Sequence, residues 1–259
     1  MTTGPSERAR QVSETETARL IEQGADAVIL TGSHARGDAH RESDLDLRVI
    51  GEGPSSLLKR SEEFLVSIAW LTEGEHRDAL TDPGEVGEVV PGWRRALILH
   101  DPHGLASRIK AEAAAWEWGP IADDCDRWVA DQITDYAEEV HTLIGNIDMD
   151  QRSGAAAIRS QLALHLAHFL SVHHRILYES ENDLWDLVAD AMGEQWAELQ
   201  SAALGIEGAG LEESCRASLE LFSIAADTVD ELLDDRQREI VEHATKLAKR
   251  TPLKEGRSG

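Results

Sequence analysis

The chain is short of several things, and each scarcity removes a class of function. Only two cysteines, Cys125 and Cys215, occur in 259 residues, far apart and without Cys-x-x-Cys spacing. Neither a disulfide scaffold nor a cysteine zinc site is expected. No apolar run approaches the ~20 residues needed to cross a bilayer, and the start, Met1-Thr2-Thr3-Gly4-Pro5-Ser6-Glu7-Arg8, lacks the apolar core of a signal peptide. A cytoplasmic protein with no membrane association is expected. Basic residues are few: 25 Lys and Arg face 49 Asp and Glu, for a formal charge of -24. Lys and Arg supply the attraction to phosphate backbones, so a nucleic-acid partner is disfavoured. Adaptation to high salt explains the same acidity equally well, since arginine far outnumbers lysine and net charge speaks to solubility as readily as to partners. No internal repeat is visible.

What is present divides the chain in two. The length suits one large or two modest domains. Residues 6–23 read as a helix ended by Gly24. Ala27–Thr31 is a short branched apolar run of the buried-strand type, and Asp44–Ile50 is a second strand closed by Gly51-Glu52-Gly53-Pro54. Residues 57–60 and 64–71 form a hairpin around Ser61-Glu62-Glu63. A short helix follows over 73–80, then a helical stretch from Pro83 to Val90 that Pro91-Gly92-Trp93 breaks. Residues 96–100 make another strand and 105–118 another helix. Beyond Gly119-Pro120 the strand signals stop. Helical patterns cover 122–144, 154–178, 182–204, 211–233 and 236–249, enough for an antiparallel bundle. The reading is therefore an α/β (α+β) domain with a mixed sheet over 1–118, an all-α helical bundle over 119–250, and a flexible tail over 251–259.

The chemistry concentrates where the first strand meets the second. Gly32-Ser33-His34-Ala35-Arg36-Gly37 is a small-residue turn, and Ser43-Asp44-Leu45-Asp46-Leu47 opens the next strand. Side chains at i and i+2 of a strand share one face, roughly 6.5 to 7 Å apart, so Asp44 and Asp46 converge while Leu45 and Leu47 enter the core. Paired carboxylates suit Mg²⁺, which takes hard oxygen ligands and keeps waters and phosphate oxygens in the rest of its shell. A turn of this kind turns backbone N–H groups toward phosphate.

The Gly-Ser turn followed by Asp-x-Asp resembles the signature of the nucleotidyltransferase superfamily of polymerase beta-like fold, over about residues 17 to 110. The resemblance implies that Gly32 and Ser33 hold a triphosphate, with Arg36 facing a phosphate or pairing with Asp38 or Asp44, and that Asp44 and Asp46 are the catalytic metal ligands. A sheet domain followed by a helical domain is similar to aminoglycoside nucleotidyltransferases, whose site lies between the two. The resemblance implies Mg²⁺-dependent transfer of a nucleoside monophosphate, AMP from ATP, to a hydroxyl of a small molecule, and the acidic second half suits a cationic acceptor. Two alternatives stay open: a protein-modifying enzyme of antitoxin type, and a catalytically reduced nucleotide-binding module. The acceptor, the base and the oligomeric state are not encoded in any motif.

The departure from the pattern is the third carboxylate. Many members carry an acid on a later strand beside the first two; here the matching position on Phe64–Leu71 is Ser67, which neither neutralises a metal nor takes a proton usefully. Glu73, Glu75, Glu179, Glu181 and Asp183 are the acids that could substitute, each first explained as a solvated surface group. His165 and His168 share a helix face but have no acid or cysteine at ligand spacing. The tryptophans, Trp93, Trp116 and Trp118 among them, offer stacking surface but more commonly serve packing, and Arg94 and Arg95 are candidate triphosphate cations.

Overall fold

A computed structural model describes residues 4–250; the tail expected over 251–259 lies outside the described residues. They divide into two compact units, one running to Trp118 and taking back Leu177–Glu181, the other comprising Gly119–Ile176 and the chain from Asn182 onward.

The first unit is a five-stranded mixed sheet with helices. It contains α1 (Glu7–Glu22), β1 (Ala27–Thr31), α2 (Gly32–Arg36), β2 (Leu45–Ile50), β3 (Ser56–Ser61), β4 (Phe64–Leu71), α3 (Glu73–Asp78), α4 (Val86–Arg95), β5 (Leu97–His100) and α5 (Leu105–Ala114). Strand order is β3-β4-β2-β1-β5; β2 and β4 are parallel and the other pairs antiparallel. β1 is internal and buried along its length, apolar from Ala27 to Leu30. Along β2 as far as Val49, and along β4 from Val66, the alternation is strict. Leu45, Leu47, Val49, Val66, Ile68 and Trp70 enter a core shared with Ala9, Val12 and Leu20 of α1. The period of two then puts Asp46, Arg48, Ser67 and Ala69 on the opposite face. Ser6 caps α1, accepting from the Ala9 N–H at 3.2 Å.

One charged group enters the α1 side. The Glu16 side chain is 1% exposed and receives Lys59 Nζ at 2.5 Å, Arg19 Nη1 at 2.6 Å and Ser61 Oγ at 2.7 Å. Burial alone would raise its pKa, but these hydrogen bonds and the Lys59 and Arg19 charges outweigh it and hold the carboxyl below the usual range. The pair ties α1 to the edge strand β3.

α4 corrects an expectation. Pro91 does not end the helix; α4 continues through it to Arg95. Proline has no N–H for the carbonyl four residues back, which is that of Gly87. The Tyr178 backbone N–H donates to that oxygen at 2.9 Å, and Gly87 leaves room for the Tyr178 ring, whose Cε1 would lie 2.7 Å from an added Cβ. Other boundaries move less. β2 starts at Leu45, so Asp44 precedes the strand, and α5 stops at Ala114.

The second unit is helical: α6 (Ala122–Asp135), α7 (Ala137–Asp148), α8 (Arg152–His173), α9 (Glu181–Met192), α10 (Glu194–Leu204), α11 (Leu211–Thr228) and α12 (Asp235–Arg250). α8 and α11 supply its centre, with Leu162, Leu166, Leu170, Leu221 and Phe222 fully buried. The helix expected over 122–144 is two, parted at Tyr136, whose ring packs edge-on to Phe169 at 4.8 Å. α7 passes through the expected break at Gly145-Asn146, since one glycine costs a helix only about 1 kcal/mol. α8 ends at His173, not Tyr178, with Arg175 at φ 58° and held by Asp126 at 2.5 Å. The helix expected over 182–204 is also two, because Gly193 adopts φ 91°, and the last turn expected before Leu233 is a 3₁₀ turn.

Candidate active site

The site is built on the sheet face opposite α1. Thr31 ends β1 directly across from Asp46 of β2, and the next residue, Gly32, turns the chain into α2 at φ +68°. A Cβ at Gly32 would lie 2.2 Å from Asp46 Oδ2. Glycine is needed here twice over, for the left-handed backbone and for the space the carboxylate occupies. α2 ends at Gly37, φ +87°, whose N–H donates to the Ser33 carbonyl at 2.8 Å.

Around Asp46 lies a cavity of about 210 Å³. Its floor is the sheet face: Thr31, Asp46, Arg48, Ser67 and Ala69. Gly32 and Arg36 border it at the turn, His76 comes from α3, Trp93, Glu88 and Gly92 come from α4, Glu85 stands at the N-cap position of that helix without a side-chain cap bond, and Glu179 comes from the returning segment. Arg36 is fixed by two contacts, Nε to Asp38 at 3.0 Å and Nη1 to the Glu179 carbonyl at 2.8 Å. The Glu179 carboxylate receives Arg95 Nε at 2.7 Å.

The electrostatics follow from crowding acids on a half-covered face. Burial, then the charge of Asp44, raise the Asp46 pKa to about 6; Glu88 adds to the rise while Arg48 and Arg36 oppose it. Glu88 is itself raised, by burial and then Glu181, with Arg48 and Arg36 again opposing. His76 is 1% exposed, edge-on to Trp93 at 5.2 Å, and its pKa is pushed down to about 4 by burial and the nearby Arg48 charge. Its Nε2 has no hydrogen-bond partner among the described residues.

Of the residues singled out from sequence, Gly32, Arg36 and Asp46 meet at this cavity, and Asp44 acts on Asp46 through its charge. Asp44 and Ser33 are not part of the cavity wall. Ser67 stands in register with Asp46 on the adjacent parallel strand. Arg94 is spent on carbonyls, donating to Ala113 at 2.8 Å and Trp116 at 3.1 Å. Trp116 donates to the Leu80 carbonyl at 2.7 Å and packs edge-on to Trp118. His165 contacts the Gln161 carbonyl and the Tyr136 ring, and His168 packs on Trp128. Sequence reading passed over Arg48, His76, Glu85 and Glu88. Arg48 was detectable as the i+2 neighbour of Asp46; Glu85, Glu88 and Gly92 share a helix face at i, i+3, i+7, a signal hidden by ending that helix at Pro91.

A divalent cation fits the donor set. Asp46 is a half-covered carboxylate whose proton affinity is raised beside a second carboxylate, and Gly32 leaves its Oδ2 uncrowded. No cluster of three or more metal-type side chains occurs among the described residues; a cation here would find at most Asp46 and the neighbouring Asp44 as carboxylates and would take phosphate oxygens and water for the rest of its shell, as Mg²⁺ commonly does.

The site is thus a glycine turn laid on an aspartate-bearing strand of a mixed sheet. Residues 15–86 match the family model described as nucleotidyltransferase domain. The comparison with curated proteins gives no match. Among solved structures, a nucleotidyltransferase-like protein from Exiguobacterium sibiricum 255-15 aligns with a TM-score of 0.51 and 13% identity, over 85% of this chain and 74% of that one; at that identity the likeness is one of fold. The match is thus to a nucleotidyltransferase domain, a class that moves nucleoside monophosphates, over residues 15–86, and a helical region follows in the chain. No helix among the described residues is long and apolar enough to cross a membrane.

Proposed function

We propose that the protein is a Mg²⁺-dependent nucleotidyltransferase that moves a nucleoside monophosphate, AMP from ATP, to a hydroxyl of a small molecule, with a cationic, aminoglycoside-like acceptor suited to the acidic surface. The observation that carries this reading is the placement of Asp46 against the Cβ-less face of Gly32, on a sheet face that bears an open cavity.

Asp44 and Asp46 hold the cation, whose chemistry is to neutralise charge on the phosphates and orient the α-phosphate. Gly32 and Ser33 present the turn to the triphosphate. Arg36, held by Asp38 and the Glu179 carbonyl, is a pre-positioned cation at the cavity edge, where fixed charge serves a developing negative charge best. Trp93 and the sheet face exclude water from one side.

The test is pyrophosphate release and acceptor labelling with labelled nucleotides, Mg²⁺ and a panel of hydroxyl acceptors. Release with a labelled small molecule supports the reading, and neither signal with any nucleotide overturns it. Asp46→Asn keeps the fold and loses turnover. It also raises the thermal midpoint of the metal-free protein, because it removes a half-covered charge facing Asp44.

Ser67 favours a second reading, a module that binds nucleotide without transferring it, since no acid stands beside Asp46 on β4. Calorimetric ATP binding without pyrophosphate release selects it. A labelled protein band in place of a small molecule selects instead a protein-modifying enzyme of antitoxin type.

A further inference from the structure

We propose that Glu88 of α4 is the general base that β4 does not provide, taking the acceptor hydroxyl proton from the wall of the cavity facing the sheet. This rests on the transferase reading above. Ser67 occupies the place beside Asp46, and its hydroxyl cannot accept a proton at neutral pH, so a base has to come from another element around the same cavity.

Four carboxylates line the cavity: Asp46, Glu85, Glu88 and Glu179. Asp46 is assigned to the cation. The Glu179 carboxylate is paired with Arg95. Glu85 lies at the N-cap of α4, one turn before Glu88. Glu88 is the wall acid coupled to the floor: its charge bears on Asp46, and Arg48 and Arg36 bear on it. Its carboxylate makes no hydrogen bond or ion pair with the described residues. One turn on, Gly92 also lines the cavity, with nothing within 4 Å of where its Cβ would be, so the space beside Glu88 is left open to a substrate. The helix that carries it is anchored, because the Gly87 carbonyl, adjacent in sequence, is bound by the Tyr178 N–H. Glu88 stays solvent-exposed at the cavity wall; partial desolvation there and the Glu181 charge raise its proton affinity, the direction useful to a base near neutral pH.

The step balances as follows. The acceptor O–H bond breaks and its proton passes to the Glu88 carboxylate. The freed oxygen electron pair forms a bond to the α-phosphorus, and the α–β phosphoanhydride bond breaks with its electron pair leaving on pyrophosphate. Glu88 then returns the proton to solvent.

Wild type, Glu88→Gln and Glu88→Gln/Ser67→Asp are compared in three measurements: Mn²⁺ binding by electron paramagnetic resonance, binding of α,β-methylene-ATP with Mg²⁺ by calorimetry, and pyrophosphate release from ATP with the acceptor panel across pH. Glu88→Gln is expected to bind Mn²⁺ and the analogue within about threefold of wild type. Its pyrophosphate release falls by about a hundredfold or more and loses the acidic limb of the wild-type pH profile; aspartate at position 67 restores tenfold or more. Wild-type turnover in Glu88→Gln overturns the assignment, as does loss of Mn²⁺ binding, which would make Glu88 a metal ligand. A slow variant with an unchanged pH profile and no rescue overturns it in favour of a structural role. Wild type that binds the analogue without turnover removes the need for a base, whereas wild type that neither binds nor turns over overturns the transferase reading itself.

Discussion

Gly32→Ala separates the two jobs of that glycine. At φ +68° a residue with a Cβ pays about 1–2 kcal/mol for the left-handed backbone, which for a unit of this size lowers the thermal midpoint by roughly 3–10 °C. The second effect is local. The new Cβ would lie 2.2 Å from Asp46 Oδ2, so the carboxylate has to retreat by about 1 Å to reach van der Waals contact. A misplacement of that size costs about a hundredfold in rate where alignment matters. Gly24 is the matched control, since it has φ +96° and nothing within 4 Å of its Cβ position. Gly24→Ala should lose comparable stability and keep Mn²⁺ affinity and pyrophosphate release; Gly32→Ala should lose all three. Scanning calorimetry, Mn²⁺ titration and the release assay read them separately. Equal metal affinity and turnover in the two variants would refute the argument that Gly32 is there to make room for Asp46.

Other outcomes follow from the same geometry. Glu16→Gln should cost about 1–3 kcal/mol at pH 7 by urea unfolding. Because the folded protein holds the Glu16 carboxyl below its unfolded value of about 4.3, its contribution is complete above that value and fades as pH falls through the folded one; the gap between variant and wild type should therefore narrow on acidification, and a constant gap would contradict the pairing with Lys59. Gly87→Ala drives a Cβ to 2.7 Å from the Tyr178 ring and should cost about 1–3 kcal/mol by overpacking, seen also as faster tryptic cleavage after Arg175; unchanged melting and cleavage would mean the ring yields freely.

The sheet was legible because short branched runs and strict alternation permit few foldings. Ala27–Thr31 is the strand expected, and the leucines flanking Asp46 point to the core while the aspartate does not. The turn and sheet-floor residues of the cavity, Gly32, Arg36 and Asp46, lie within one 15-residue stretch, so a local pattern could bring them to notice. The opposite wall could not be read in that way. Its helix survives a proline because a donor 91 residues further on, Tyr178, satisfies the carbonyl that Pro91 leaves bare, and no local pattern announces that. The split at Tyr136 has the same origin, a ring packing on Phe169 while hydrophobic spacing runs on through it. The split at Gly193 is local: the glycine takes φ 91° with nothing within 4 Å of its Cβ position, so the residue type itself was the signal.

The bond between Tyr178 and Gly87 also sets a clock. On the ribosome, the carbonyl that Pro91 exposes is made well before its partner. At ~5–20 residues per second, the intervening stretch of about ninety residues takes roughly 5–20 s to synthesise. During that interval α4 has an unpaired carbonyl, an empty slot where the tyrosine ring belongs, and Arg36 and Arg95 without Glu179. The strands and the Gly32 turn can assemble early, but the cavity is enclosed only after nearly half of the helical region has been translated. A nascent chain can thus hold its sheet while its nucleotide site is still one-sided.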